Sequence, residues 1–252
     1  MFGPADADAY LGGQDPAERV EAAHATAEAL IRHGRSGDDA VTARLVSLAD
    51  EHGIDEVALL WADRPADSLP GALWRLYALR AGIRRQSELI ARAFEAGRHR
   101  APVYEAVAGV GDPPGPAEVR ALADAVLAGA FTGDLGVALE RAAAFCRVVS
   151  TGWALLADEL VDVHSADGHS ADGHSGDGYV GDGRLGAADL SLTVHGDRAA
   201  GRAGVGADGR SDDRSVDPVD AAALLTRRAS DLLRTGGQLE TAARRWREGT
   251  LH

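Results

Sequence analysis

The chain has 252 residues, 45% of them apolar, and a net charge of −13 at neutral pH. This length supports one sizeable domain or a domain with appendages, and the apolar share is that of a globular protein. The negative balance argues against a general nucleic-acid binder, whose basic surface must release counterions from phosphate, and it fits a soluble protein that meets a basic partner.

All 26 basic side chains are Arg, and neither Lys nor Asn occurs. That is the composition of a GC-rich coding sequence, which points to a bacterial source, so the missing Lys is given no mechanism. The single cysteine, Cys146, has no internal disulfide partner, which suits a reducing cytoplasm. The first ten residues, MFGPADADAY, lack the basic and apolar regions of a secretory leader. No stretch reaches the ~18 consecutive apolar residues of a membrane span. The nearest, Ala142 to Leu156, is shorter and contains Arg147.

Residues 1–14 are expected to be a flexible lead-in. From 15 to 161 the chain reads as successive helices. Asp15-Pro16 is a cap followed by proline at the first helical position. Val20, Ala23, Ala27, Leu30 and Ile31 then form one apolar stripe, and Gly34 is expected to stop the helix. Asp38 or Asp39 caps a second helix, with Val41, Leu45 and Leu48 inward. A short third helix starts at Asp55 and runs through Trp61, where Arg64-Pro65 ends it. A fourth starts near Ser68 and Pro70, with Gly82 kinking it or dividing it from 87–96.

The stretch GVGDPPGP, 109–116, is a loop by composition. Pro116 opens a helix with Val119, Leu122, Val126 and Leu127 inward. Thr132-Gly133-Asp134 is a turn and cap. The most apolar helix, 135–159, follows and is expected at the centre of the core, with Leu139, Phe145, Val149 and Trp153 on its broad face.

Across 162–217 the composition changes to 12 Gly and 11 Asp against 5 Arg, with no Glu. Such a segment buries too little apolar area to offset its ordering entropy, so 162–216 is read as a disordered acidic insert. Asp217-Pro218 repeats the cap signal, and 217–249 is expected to form a helical hairpin broken at Gly236-Gly237 and docked on the first block. No alternating β-branched run occurs. The predicted fold is all-α, an irregular helical bundle or short helical array interrupted by the insert.

The insert contains four copies of a pentapeptide, HSADGHSADGHSGDGYVGDG. His164, His169 and His174 with Asp167, Asp172 and Asp177 supply imidazole and carboxylate, which can hold zinc or nickel. Nothing pre-organises them, and the preferred reading is a unit multiplied by slippage in DNA copying. Asp at every fifth position leaves two ligand positions of a calcium loop empty. Three GxGxxG matches in the same insert lack the strand-to-helix context of a dinucleotide site. Cys146 beside Phe145 reads as a small buried hydrophobe. Ser150 has no histidine near it in sequence.

Trp61, Trp74 and Tyr77 cluster, with Arg75, Arg80, Arg84 and Arg85 alongside. Their bland role is core anchoring. Their functional role is a groove for a partner, since Trp, Tyr and Arg are common interface anchors. Residues 71–104 also resemble a single tetratricopeptide repeat: Trp74, Ala78, Phe94, Gly97 and Pro102 stand at matching offsets. Ala81 and Ile90 depart from that pattern, and no second copy lies 34 residues away, so the family is not assigned.

The leading expectation is a non-enzymatic cytoplasmic adaptor or regulator that binds a protein partner through Trp61, Trp74, Tyr77, Arg75, Arg80 and Arg84, without cofactor, nucleic acid or membrane. The rival is a helical enzyme or anion binder with a pocket walled by Trp61, Trp74 and Tyr77. A third is metal binding by the repeat.

Overall fold

The computed structural model describes residues 15–35, 38–169 and 217–252. Among them the chain is all-α, with nine helices and no strand. In chain order these are α1 (Pro16–Gly34), α2 (Asp39–Glu51), α3 (Ile54–Trp61), α4 (Leu69–Arg85), α5 (Ser87–Arg98), α6 (Pro102–Ala108), α7 (Pro116–Thr132), α8 (Leu135–His169) and α9 (Pro218–Arg247). The readings of 1–14 as a flexible lead-in and of 170–216 as disordered fall outside the described residues.

Capping fixes several helix starts. The Ala17 N–H donates to Asp15 (3.0 Å), the Ala40 N–H to Asp38 (2.8 Å) and the Val219 N–H to Asp217 (2.9 Å). Each satisfies one of the donors a helix start leaves unpaired, a contribution of about 1 kcal/mol.

α8 is the central element. α9 runs along one side of it, and α5, α6 and α7 pack on the others. Leu135, Leu139, Phe145, Val149 and Trp153 of α8 are all buried. Phe94 of α5 stacks on Phe145 with ring centroids 5.6 Å apart. The α5–α8 crossing is close enough to be backbone on backbone: a Cβ added at Gly97 would lie 2.1 Å from the Val148 carbonyl oxygen, and one at Gly152 would lie 1.7 Å from that of Ala93.

Four sequence expectations are corrected. The 217–249 hairpin is a single 30-residue helix, α9. Gly236 is not a breaker there but a contact: a Cβ would lie 3.2 Å from both the Ala143 oxygen and Cys146 Cβ. The helical block does not end at 161. α8 continues to His169, through Gly168 of the first repeat unit, because an established helix propagates at little cost per added residue. Val20 is 42% exposed rather than inward. Finally, α6 is a short helix that the sequence reading passes over. Pro102 opens it, and Gly109 closes it in the left-handed region at φ 68°.

Candidate functional site

α3 and α4 place the three clustered aromatics in the core. Trp61 and Tyr77 are 1% and 0% exposed, and Trp74 is buried as well. The rings of Trp61 and Tyr77 form a chain with Phe131 of α7: Trp61 to Tyr77 is 6.1 Å and Tyr77 to Phe131 is 6.3 Å between centroids. The polar tips of Trp61 and Tyr77 are satisfied. Trp61 Nε1 donates to Thr26 (3.2 Å), and the Tyr77 hydroxyl donates to the Leu45 carbonyl. Burial raises the Tyr77 pKa well above its ordinary value. The expected groove or pocket walled by these rings is therefore not formed. They are packing anchors that tie α1, α2, α3, α4 and α7 together.

Arg75, Arg80 and Arg84 are occupied. Arg75 donates to Gln238 of α9 (2.8 Å) and to the Gly71 carbonyl (2.8 Å), and burial lowers its pKa. Arg80 is 4% exposed. It forms a two-pronged bond to Asp50 of α2 (2.8 and 3.1 Å) and a third to Asp124 of α7 (2.6 Å). Arg84 adds a contact to Asp124 at 3.1 Å. Burial works against the Arg80 charge, but the bonds to Asp50 and Asp124 outweigh it and hold its pKa up. The bond from Arg80 in turn lowers the Asp50 carboxyl below its usual range. With two carboxylates on it, Arg80 is a clamp between helices and not an open anion site.

Two hollows lie nearby. One is an apolar slot beside Arg80, lined by Leu76, Ile83, Val126 and Phe145, with about 10 Å³ of space, which is a single water at most. The other is an open cleft of about 290 Å³ between the α3–α4 turn and α9, lined by Asp67, Arg234, Gln238 and Thr241. Asp67 is already paired with Arg245 at 2.9 Å.

Neither Cys146 nor Ser150 is placed as an activated nucleophile. Cys146 is fully buried, which pushes its thiol pKa up to about 12. The Ser150 hydroxyl donates to the Ala229 carbonyl (2.8 Å). No group of three or more potential metal ligands gathers among the described residues. Of the repeat, positions 164, 167 and 169 lie on the last turns of α8, while Asp172, His174 and Asp177 fall outside the described residues.

Two features escaped the sequence reading. Arg228 is 5% exposed, and its Nη1 and Nη2 have no hydrogen-bond partner among the described residues. Its place in the stripe between Leu225 and Leu232 was the available signal. The other is α6. Val103 is 71% exposed, Val107 44% and Tyr104 37%. Val103 and Val107 stand one turn apart on the same side. The helix is held to α8 from beneath: Arg141 donates to the Ala108 carbonyl (3.3 Å), and the Arg147 guanidinium lies 5.1 Å from the Tyr104 ring centre. Val137 of α8, four residues before Arg141, is 50% exposed as well. Val and Tyr in so short a segment gave no helical period from which an exposed face could be read.

No family model, curated protein or solved structure matches this chain. Among the described residues no helix is long and apolar enough to cross a membrane.

Proposed function

We propose that the chain is a non-enzymatic protein-interaction module, an adaptor or regulator acting in the bacterial cytoplasm, and that α6 is its docking face. The observation that carries this reading is the exposed Val103–Tyr104–Val107 surface. Contiguous exposed apolar area mostly marks a binding surface, whereas isolated exposed apolar residues are ordinary. The surface is also rigidly presented, because Arg141 and Arg147 fix α6 on the central helix. A preset face loses little ordering entropy on binding.

The test is site-specific photo-cross-linking in the source cells. A photoreactive residue at position 103 is expected to capture a protein in one discrete adduct. The same group at the exposed control position Val219 is expected to give none. Equal or absent capture at the two positions refutes α6 as the docking face.

A further inference from the structure

Residues 98–120 carry three arginines, Arg98, Arg100 and Arg120, and three carboxylates, Glu105, Asp112 and Glu118. This stretch is therefore neutral within a chain of net charge −13. Its carboxylates are also engaged internally. Arg98 lies 2.6 Å from Asp112 and 3.8 Å from Glu105, and the Gly115 N–H donates to Glu118 (3.1 Å). Most of what α6 turns toward solvent is apolar, with Val103, Tyr104 and Val107 at its centre beside the Arg98-paired Glu105.

Such a face offers little to a partner recognised by charge. It is well matched to another face like itself. Two copies of an acidic chain repel wherever carboxylates face carboxylates. The repulsion is smallest where the chain is locally neutral, and the side chains most exposed on α6, within the neutral stretch, are apolar. A two-fold axis through α6 sets the Val103 and Val107 pair of one copy against the same pair of the other. This is the self-complementary arrangement of a two-fold dimer.

We propose that the occupant of the α6 face is a second copy of this chain, in a reversible homodimer. The proposal rests on the reading of α6 as the docking face. A seven-residue helix and the loop after it fall short of the ~800 Å² per partner of a standard interface. The dimer is therefore weak, with half-association on the order of 100 µM.

The experiment is sedimentation velocity on the full chain from about 10 µM to 1 mM, spanning that value, at low and high NaCl. The dimer fraction should rise with concentration and also with salt, because salt screens the repulsion between acidic copies. The double substitution Val103→Glu, Val107→Glu should abolish the dimer without changing the far-ultraviolet circular dichroism.

A second measurement does not depend on that variant. The native thiol, Cys146, is buried, so it stays silent toward a short bismaleimide. Val103→Cys should cross-link rapidly to dimer, and Leu59→Cys, 78% exposed on α3, should not. A chain that is monomeric throughout, or equal cross-linking at 103 and 59, overturns the homodimer. If the chain is monomeric while position 103 still captures a different protein in cells, the second copy is refuted and the docking face stands. If neither occurs, both are refuted.

Discussion

Arg80 and Arg228 are equally shut away from water, at 4% and 5% exposure, but they differ in what surrounds them. Arg80 has three bonds to two carboxylates. The terminal nitrogens of Arg228 have no acceptor among the described residues, and burial lowers its pKa. Replacing a paired buried arginine strands its partners, whereas replacing an unpaired one removes a desolvated charge that nothing offsets. Arg80→Met should therefore lower unfolding free energy by about 2 kcal/mol, softened because Asp50 and Asp124 can rehydrate. Arg228→Met should raise it by about 1 kcal/mol. Urea midpoints at unchanged slope measure both. A loss at Arg228 like that at Arg80 would show that its guanidinium has an acceptor after all. In sequence the two arginines look alike, each a basic residue in a helical segment. What separates them is the placement of Asp50 and Asp124, 30 and 44 positions from Arg80, and no local pattern encodes that.

Glycine decides the geometry of the helices, and its meaning depends on the neighbouring helix. Gly236-Gly237 reads as a break, because glycine costs about 1 kcal/mol in a helix interior. Yet α9 continues through both, since its packing along α8 outweighs that local cost. Gly236 contacts α8, while a Cβ at Gly237 would meet nothing within 4 Å. Gly152 is the extreme case, lying directly on the Ala93 carbonyl of α5. Gly152→Ala should cost about 3 kcal/mol, since backbone cannot give way as a flexible side chain can. Gly237→Ala should gain about 0.5–1 kcal/mol from helix propensity and a less free unfolded chain. Thermal unfolding of the two variants beside the parent checks both signs. A neutral Gly152→Ala would mean that α5 and α8 sit farther apart than described. Caps and apolar periods made most helices legible in the sequence. These backbone contacts were not, because they belong to pairs of helices far apart along the chain.

At the scale of the molecule, the last helix closes the structure that the first hundred residues begin. Leu225, Leu232 and Leu239 of α9 are buried along α8. Its C-terminal end reaches back to the turn before α4, where Arg245 pairs with Asp67 and the Leu69 N–H donates to the His252 carbonyl (2.8 Å). Leu251 is buried there too. Docking of the C-terminal segment on the first block could be anticipated, because so short an apolar segment has nothing else to cover its stripe. Its course across α4 could not. These contacts join α9 and the residues after it directly to the first block. If they alone hold α9 in place, the connection between 169 and 218 is dispensable once the protein has folded. An engineered protease site near position 190, cut after folding, should leave two pieces that co-elute in gel filtration with the helical signal of the uncut chain. Each buried leucine contributes about 1.5–3 kcal/mol as an upper estimate, enough in combination to hold the pieces together at micromolar concentration. Added denaturant should then unfold the cut protein at a midpoint that rises with its concentration, as for any two-piece complex. Separation in native buffer would instead make the covalent link essential, with the α8–α9 contact too weak to hold the fold closed.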